Sequence, residues 1–560
     1  MWLFLSSSES NRQTCIIVRQ GLLANTRYNT VSHNRPELPI RKIEYRQFIP
    51  LDQDRHISTN GGVFYMAFTT SAHSATPEKR VYRLTVFSFL WACQALVHQE
   101  FFWDWLPKGR ILGYAVTLAA ILLMFNPRSV SLLGLLALVS FSYNVTRWPR
   151  LANHIFAEGL INLVIVIAVL WTLYQNRHQI GAPGWSWYTL GLNNRKSTNN
   201  LLRRFAPVMR ASVIIIYLFA TLHKLNWDFF DPAISCATTM YNRLPALFTF
   251  MPDYHWGPLV SIWGTLIIEL VLPIFLIFRK TRYYALAIGI PFHLMLGLIG
   301  HRTFSAFAFA NYFLFTDERF IQALNDRLRA LRQWLSQFQR EQIHRYLWMG
   351  IGVILLGIVA GFAADFLDSK RLRKTVWLVW SLTMIAAYVI VLRRQKILGL
   401  PAPKTALRWS NPGLLWMLPL VVVFNGMNPY LGLKTHVAFA MYSNLRTEGG
   451  EWNHIFMPRW LKVAKYQDDL VEVIDATHKQ FDELKTQNLL IPHFEFRRII
   501  DKIKGDVWVH YVHNGEHKIL EIKNGQCNQT GFVKGSTGLL GKFLVFRPVY
   551  KDGALADCLR

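Results

Sequence analysis

Eleven apolar runs crowd the stretch between residues 84 and 432, at 84–97, 111–125, 129–145, 155–174, 205–222, 258–278, 283–299, 303–315, 348–366, 375–392 and 413–432. Several reach the roughly 17–25 residues that a helix needs to cross about 30 Å of hydrocarbon. No water reaches that layer to satisfy stray N–H and C=O groups, so each run must pair its own backbone and fold as a helix. The runs at 84–97 and 303–315 are short; tilt, flanking aromatic residues or a re-entrant path would accommodate them. The fold class expected is an all-α polytopic membrane helix bundle of about ten or eleven spans, followed by a small soluble α+β domain.

Composition points the same way. Apolar residues make up 52% of the 560 and charged residues 17%, below the roughly 25% charged of soluble domains. Aromatic residues reach 14%, as belts at two membrane interfaces require. A net charge of +27 would suggest nucleic acid in a soluble protein. Here the Lys and Arg fall mostly between apolar runs, where they set topology and meet anionic head groups. The lipid bilayer is the expected partner, and nucleic acid is not. With the N-terminus inside, the inside loops carry 20 Lys and Arg and the outside loops 11. That bias puts the N-terminus in the cytoplasm and the C-terminal domain outside the cell membrane, although KRLRK at 370–374 falls on the opposing side.

The five cysteines (Cys15, Cys93, Cys236, Cys527, Cys558) show no metal-ligand spacing, and no metal is expected. Two of the last three would pair only if they face an oxidising compartment. Residues 1–80 lack apolar periodicity and read as a disordered tail, with Met66 opening a second candidate start. Residues 81–432 form the multi-span domain and 433–560 the extramembrane domain. In the latter, 466–487 reads as a solvated helix, 507–522 as a hairpin about Asn514-Gly515, and 542–550 as a further strand. Between spans, 317–345 reads as an amphipathic helix lying on the membrane surface, with Phe320, Leu324, Leu328, Leu331 and Leu335 on one face.

Ionisable groups inside membrane segments cost at least a few kcal/mol each, so each is a candidate for function. The richest stretch is YLFATLHKLNWDFFDPAISC at 217–236, where His223 and Lys224 close a span. Lys224 either snorkels to the interface or is a partly desolvated amine able to act as a base. NHIFAEGLINL at 153–163 sets Asn153 and His154 at the end of a span, with Glu158 and Asn162 deeper. PFHLMLGLIGHR at 291–302 sets His293 within a span beside Pro291. Arg210 and Glu269 lie within two spans as candidates to pair with each other. A single intramembrane His is more often a satisfied hydrogen-bond partner than a catalyst; several near one face, flanking Lys224, raise the functional reading.

These stretches in this order, with NGMNPYLGLKTHVAFAMYSNLRTEGG at 425–450, resemble the horizontally transferred transmembrane domain shared with vitamin K-dependent gamma-carboxylase, in its bacterial form. The resemblance spans about 84–460 and rests on Asn153-His154, on HKLNWDFF from His223, and on Phe292-His293-Leu294-Met295. It implies that Lys224 is the base that deprotonates reduced vitamin K or another membrane quinol. It also implies that His154 and Asn153 assist and that His223 and His293 shape the pocket. The reaction it implies is carboxylation of a glutamate side chain in a peptide or protein substrate on the outer side. The large lumenal part of the animal enzyme has no counterpart after residue 432, so a non-enzymatic membrane protein that matures, binds or exports a partner peptide stands as the alternative. A secondary transporter is disfavoured, since no internal repeat or pair of broken helices is evident.

Overall fold

The computed structural model describes residues 81–100, 111–149, 151–183, 185–192, 195–244, 255–336, 346, 349, 369–394, 413–524, 526–529, 535, 537–551 and 558. The tail 1–80 and, apart from Met349, the run at 348–366 lie outside them. The described residues belong to one compact unit, 77–560.

The apolar runs fold as helices where they are described. In chain order they are α1 (Arg83–Glu100), α2 (Ile111–Phe125), α3 (Val130–Arg147), α4 (Asn153–Gln175) and α5 (Arg195–Leu222). Two short helices follow, α6 (Trp227–Phe230) and α7 (Cys236–Tyr241), and then α8 (Gly257–Ile277), α9 (Arg282–Leu296), α10 (Arg302–Tyr312), α11 (Glu318–Ser336), α12 (Ser369–Arg394) and α13 (Met417–Met427). Consecutive helices α1 to α4 pack pairwise, α5 packs against α8 and α13, and α10 returns to α1. Their inward faces share one core that includes Trp91, Phe205, Phe309 and Tyr312. On the outward faces Leu118, Leu135, Leu138, Leu170, Ile267 and Leu270 are exposed. An apolar girdle of that extent is stable against lipid tails and not against water. Val130–Arg147, Asn153–Gln175, Ser197–Leu222, Gly257–Ile277 and Arg282–Phe315 are long and apolar enough to cross a membrane. The protein is a multi-pass membrane protein.

The stretch 282–315 folds back on itself. A π-turn at Gly297–His301 contains Gly300 at φ +118°, a conformation that side-chain-bearing residues rarely adopt. Beyond it the chain reverses, so that Tyr283 at the start of α9 donates a hydrogen bond to Asp317 Oδ1 just past α10 (3.0 Å). The run at 283–299 and the short run at 303–315 are therefore the limbs of a helical hairpin whose tip is His301. In α11, Phe320 is buried against Tyr388, while Leu331 and Trp334 further along are exposed. The apolar stripe predicted there is thus half used by the bundle.

The C-terminal region holds a six-stranded antiparallel sheet in the order β5-β4-β3-β1-β2-β6. The strands are β1 (Leu470–Ala476), β2 (Leu489–Pro492), β3 (Val507–His513), β4 (Glu516–Lys523), β5 (Gln526–Cys527) and β6 (Val549–Tyr550). The hairpin about Asn514-Gly515 forms as expected. Both turn residues have positive φ, at 55° and 78°, the signature of the two-residue turn that matches strand twist. Helices α14 (Lys479–Thr486) and α15 (His493–Ile500) cover one sheet face through Phe481, Leu484, Phe496 and Ile499, which pack on Val471, Val473, Val509 and Leu520.

Two expectations are corrected here. The helix read over 466–487 is instead β1 followed by α14; Val471 and Val473 alternate into the core, a period-two pattern hidden among acidic residues. The strand read over 542–550 pairs only at Val549–Tyr550. Leu544, Val545 and Phe546 are buried, and the Val545 carbonyl accepts from the Thr435 and His436 amides instead of joining the sheet. Pro548 has no N–H with which to continue a ladder.

The reversal at Gly300 generates a test. Gly300→Ala forces a Cβ into φ +118°, at a cost of about 1–3 kcal/mol. The detergent-purified variant should melt several degrees below wild type; an unchanged melting temperature would show that the hairpin tip is not held in this conformation.

Candidate functional site

A cavity of about 560 Å³ opens at the end of the bundle where α4 begins, α5 ends and the α9–α10 hairpin turns. Its wall is mostly apolar and aromatic, including Phe229, Phe292 and Phe304, and carries Asn153, His154, Tyr217, Lys224, Glu269 and His301. The segment after α13 closes it, through Val437, Met441 and Tyr442, with Arg547 from the chain's C-terminal part.

Lys224 is the charged centre. It is 4% exposed, and its Nζ lies 2.8 Å from Glu269 Oε2 on α8. The amine also donates to the carbonyls of Ala220 (3.2 Å) and Met441 (3.3 Å). Snorkelling to an aqueous interface is therefore not what Lys224 does. The expected pairing of Arg210 with Glu269 is corrected: Glu269 partners Lys224, and Arg210 Nε donates to the Ala206 carbonyl of its own helix (3.3 Å). Arg210 and Lys224 are fourteen residues apart, about 21 Å of helical rise, so one carboxylate cannot serve both.

His154 lies across the cavity on the first turn of α4. Its Nε2 shares a hydrogen bond with Thr303 Oγ1 (2.8 Å), and its ring packs against Phe304 (5.9 Å between centroids) and edge-on to His98 (5.7 Å). Behind it His98 Nδ1 lies 2.5 Å from Glu158, both buried. Glu158, read from the sequence as lying deeper in the span than Asn153 and His154, thus has a histidine partner. Its neighbour Asn162 accepts from Trp91 Nε1 (3.0 Å).

The other residues expected at the site divide. His293 is fully buried one layer behind the wall. Its Nε2 shares a 2.5 Å hydrogen bond with the Tyr217 hydroxyl, which in turn bonds Tyr312 (2.7 Å), and its ring packs on Phe304 (5.0 Å). It orients two wall residues without facing the cavity. His223 does not line the cavity: it stacks between Phe219 and Tyr430, bonds the Tyr430 hydroxyl (2.9 Å) and meets the Ala438 carbonyl (3.2 Å). Asn153 lines the cavity, yet its Oδ1 accepts from the Phe439 amide (2.6 Å).

These contacts converge on a strap, residues 435–444, whose first two amides meet the Val545 carbonyl and whose backbone beyond them is held by side chains rather than by a sheet. Asn425 Nδ2 donates to Val437 (2.8 Å), His223 takes Ala438, Lys224 takes Met441, and Asn226 Nδ2 takes Ser443 (2.5 Å). Within it Val437, Phe439, Tyr442 and Asn444 all have φ between 48° and 61°, a conformation that costs side-chain-bearing residues about 1–3 kcal/mol each. Such strain persists only where the surroundings over-determine it. The HKLNWD motif supplies that determination. His223, Lys224 and Asn226 grip the strap, and Asp228 pairs with Arg446 just beyond it (2.6 Å). Asn226 also caps α6, accepting from the Phe229 amide (2.9 Å).

Two further tethers close this end. Cys236 on α7 forms a disulfide with Cys558, one of the pairings the sequence left open. Arg547 Nε donates to Glu448 Oε1 (2.9 Å), and the same guanidinium reaches the Leu445 carbonyl. Burial alone would raise the Glu448 carboxyl, but the charge and hydrogen bond of Arg547, with bonds from the Thr447 amide and the Thr435 side chain, together hold it below the usual carboxylate range. Among the residues that matter here, Glu269, His98 and Arg547 carry no motif of their own, and His301 stands next to last in the stretch PFHLMLGLIGHR without being singled out by it. Only their polar character in apolar surroundings signalled them.

An HTTM domain model matches residues 116–320, which include Asn153, His154, Lys224, Glu269 and His293. This part of the chain is an HTTM domain, the family to which the motifs pointed. No curated protein and no solved structure matches the chain.

The Arg547–Glu448 pair sets a pH dependence. A carboxylate held low in the folded state stabilises fully above its unfolded value, near 4.3, and that stability is lost as pH falls through the folded value. Glu448→Gln, which leaves Arg547 without its counter-charge, should cost about 3 kcal/mol at pH 7. Its melting temperature should lie well below wild type there, with the gap narrowing as pH drops from about 5 towards 3. A gap that stays constant across that range would remove the ion pair as the tether.

Proposed function

Because the chain carries an HTTM domain, we propose that it is a multi-pass membrane enzyme that binds a reduced membrane quinol, reduced vitamin K or a relative, in the cavity beside Lys224. It crosses the bilayer about ten or eleven times, with the N-terminus in the cytoplasm and the C-terminal domain outside, where a peptide or protein substrate would reach the cavity. The Lys and Arg bias of the loops supports this orientation. So does the Cys236–Cys558 disulfide, since such bonds persist in oxidising compartments.

The observation that carries the proposal is the Lys224–Glu269 pair set in the wall of a largely apolar cavity. The cavity falls within the roughly 300–1,000 Å³ typical of small-molecule sites, and Phe292 and Phe304 offer flat apolar walls to a fused ring. When bound, a reduced quinol supplies together with oxygen the strong base that carboxylation of a glutamate side chain requires. The protein's own part is the first proton. As a unit, Lys224 and Glu269 have no net charge, whichever of them holds the shared proton. Accepting one proton from a bound hydroxyl leaves the unit a cation, beside the anion so formed. In surroundings of low polarity that attraction is worth far more than in water. His154, steadied by Thr303, is the second group placed to bond or move a proton at the cavity wall.

Quinol-dependent oxygen uptake by the purified protein in lipid tests this reading. Wild type should consume oxygen when a reduced naphthoquinone is added; Lys224→Ala should abolish uptake, and His154→Phe should reduce it by about 10²–10⁴-fold. Glu269→Gln should lower the rate while the protein remains folded. Uptake that survives Lys224→Ala would remove Lys224 as the base, and absence of uptake in wild type would leave a non-enzymatic protein that matures or exports a partner.

A further inference from the structure

The antiparallel register of the sheet brings three chemistry-bearing side chains together at one end of its central strands in the C-terminal domain. In β1, Leu470 stands opposite Pro492 of β2 and Val471 opposite His513 of β3. The residue before β1, the residue after β2 and the last residue of β3 are therefore neighbours: Asp469, His493 and His513. The backbone pins the arrangement, because the His493 amide donates to the Asp469 carbonyl oxygen (2.7 Å). One carboxylate oxygen of Asp469 lies 2.6 Å from His513 Nε2 and the other 3.3 Å from His493 Nδ1. The imidazoles stack at 4.2 Å, and one nitrogen or oxygen from each of the three residues falls within 4.8 Å of the others.

We infer that Asp469, His493 and His513 form a binding site for a divalent transition-metal ion of the zinc class. Two imidazoles and one carboxylate are the donors such ions prefer. A tetrahedral ion with bonds of about 2.0–2.1 Å sets its ligand atoms about 3.4 Å apart, close to the 3.3 Å between Asp469 and His493 and wider than the 2.6 Å between Asp469 and His513, which would open on binding. Stacked imidazoles cannot both be protonated without repulsion. Asp469 is exposed and both histidines are half-buried, so an ion would reach these side chains from solvent. The ion would join β1, the start of α15 and β3.

An ordinary surface ion pair is the competing account, and a second histidine pair on the same hairpin, His510 and His517 (3.2 Å), provides the control. The full-length protein, stripped with chelator and kept in detergent, is titrated with Co²⁺ and then Zn²⁺. The expected result is one saturable Co²⁺ site per chain with the visible absorption of a four- or five-coordinate ion, displaced by Zn²⁺, and a rise in melting temperature with Zn²⁺. Asp469→Asn and His513→Asn should each weaken binding more than about tenfold, whereas His510→Ala should leave it unchanged. Asp469 is exposed, so Asp469→Asn keeps the test valid if the histidine variant fails to fold. No saturable binding in wild type, or binding lost with His510→Ala and kept with Asp469→Asn, would overturn the site.

Discussion

A lysine and a glutamate buried together in an apolar bundle are costly to desolvate, by several kcal/mol per ion even after relaxation. Much of the surrounding structure can be understood as what makes the Lys224–Glu269 pair tolerable. The Lys224 ammonium meets Glu269 and the carbonyls of Ala220 and Met441, and the pair sits in the wall of a cavity rather than in close-packed core. Such an arrangement is poor evidence of stabilisation, since a packed hydrophobic pair would serve the bundle at least as well. It is better evidence of a site, because polar groups at membrane depth are retained where they handle a substrate, an ion or a proton.

The strap over the cavity follows from the same centre. A backbone with four non-glycine residues in the left-handed region cannot form a strand or helix and cannot leave its amides and carbonyls bare. It survives because Asn153, His223, Lys224, Asn226 and Asn425 are each placed to take one of its polar groups. The HKLN motif therefore does two things at once. Its lysine faces the cavity, while its histidine and asparagine turn away and hold the strap that closes it. Strain concentrated at a cavity wall, and anchored from outside by Arg547–Glu448 and Cys236–Cys558, is the pattern expected where geometry rather than stability is being maintained.

Hydropathy made the helices legible because lipid leaves the backbone no other choice. The order of the motifs made Lys224, His154 and Asn153 legible as neighbours, since each lies at a helix end on one side of the bundle. What sequence could not reach depended on the rotation and depth of one helix against another. Glu269 stood out as an intramembrane acid, but only the packing of α8 on α5 decides that it meets Lys224 and not Arg210. His293 and His223 were read as cavity residues because hydropathy carries no information on which face of a span looks inward. In the C-terminal domain the Asn514-Gly515 turn was plain, whereas β1 hid behind the acidic residues around it. The Asp469, His493 and His513 cluster exists only through strand register, which a linear spacing rule does not contain.

The account stands or falls on whether the cavity holds a quinol against Lys224. The most direct measurement is an electron cryomicroscopy map of the protein in lipid nanodiscs with a reduced naphthoquinone. The account predicts ring density in the cavity between Phe304 and the strap, with one oxygen within hydrogen-bond distance of Lys224 Nζ, and loss of that density in Lys224→Ala. Density for the quinone elsewhere on the bundle, with the cavity filled by lipid or water, would contradict it.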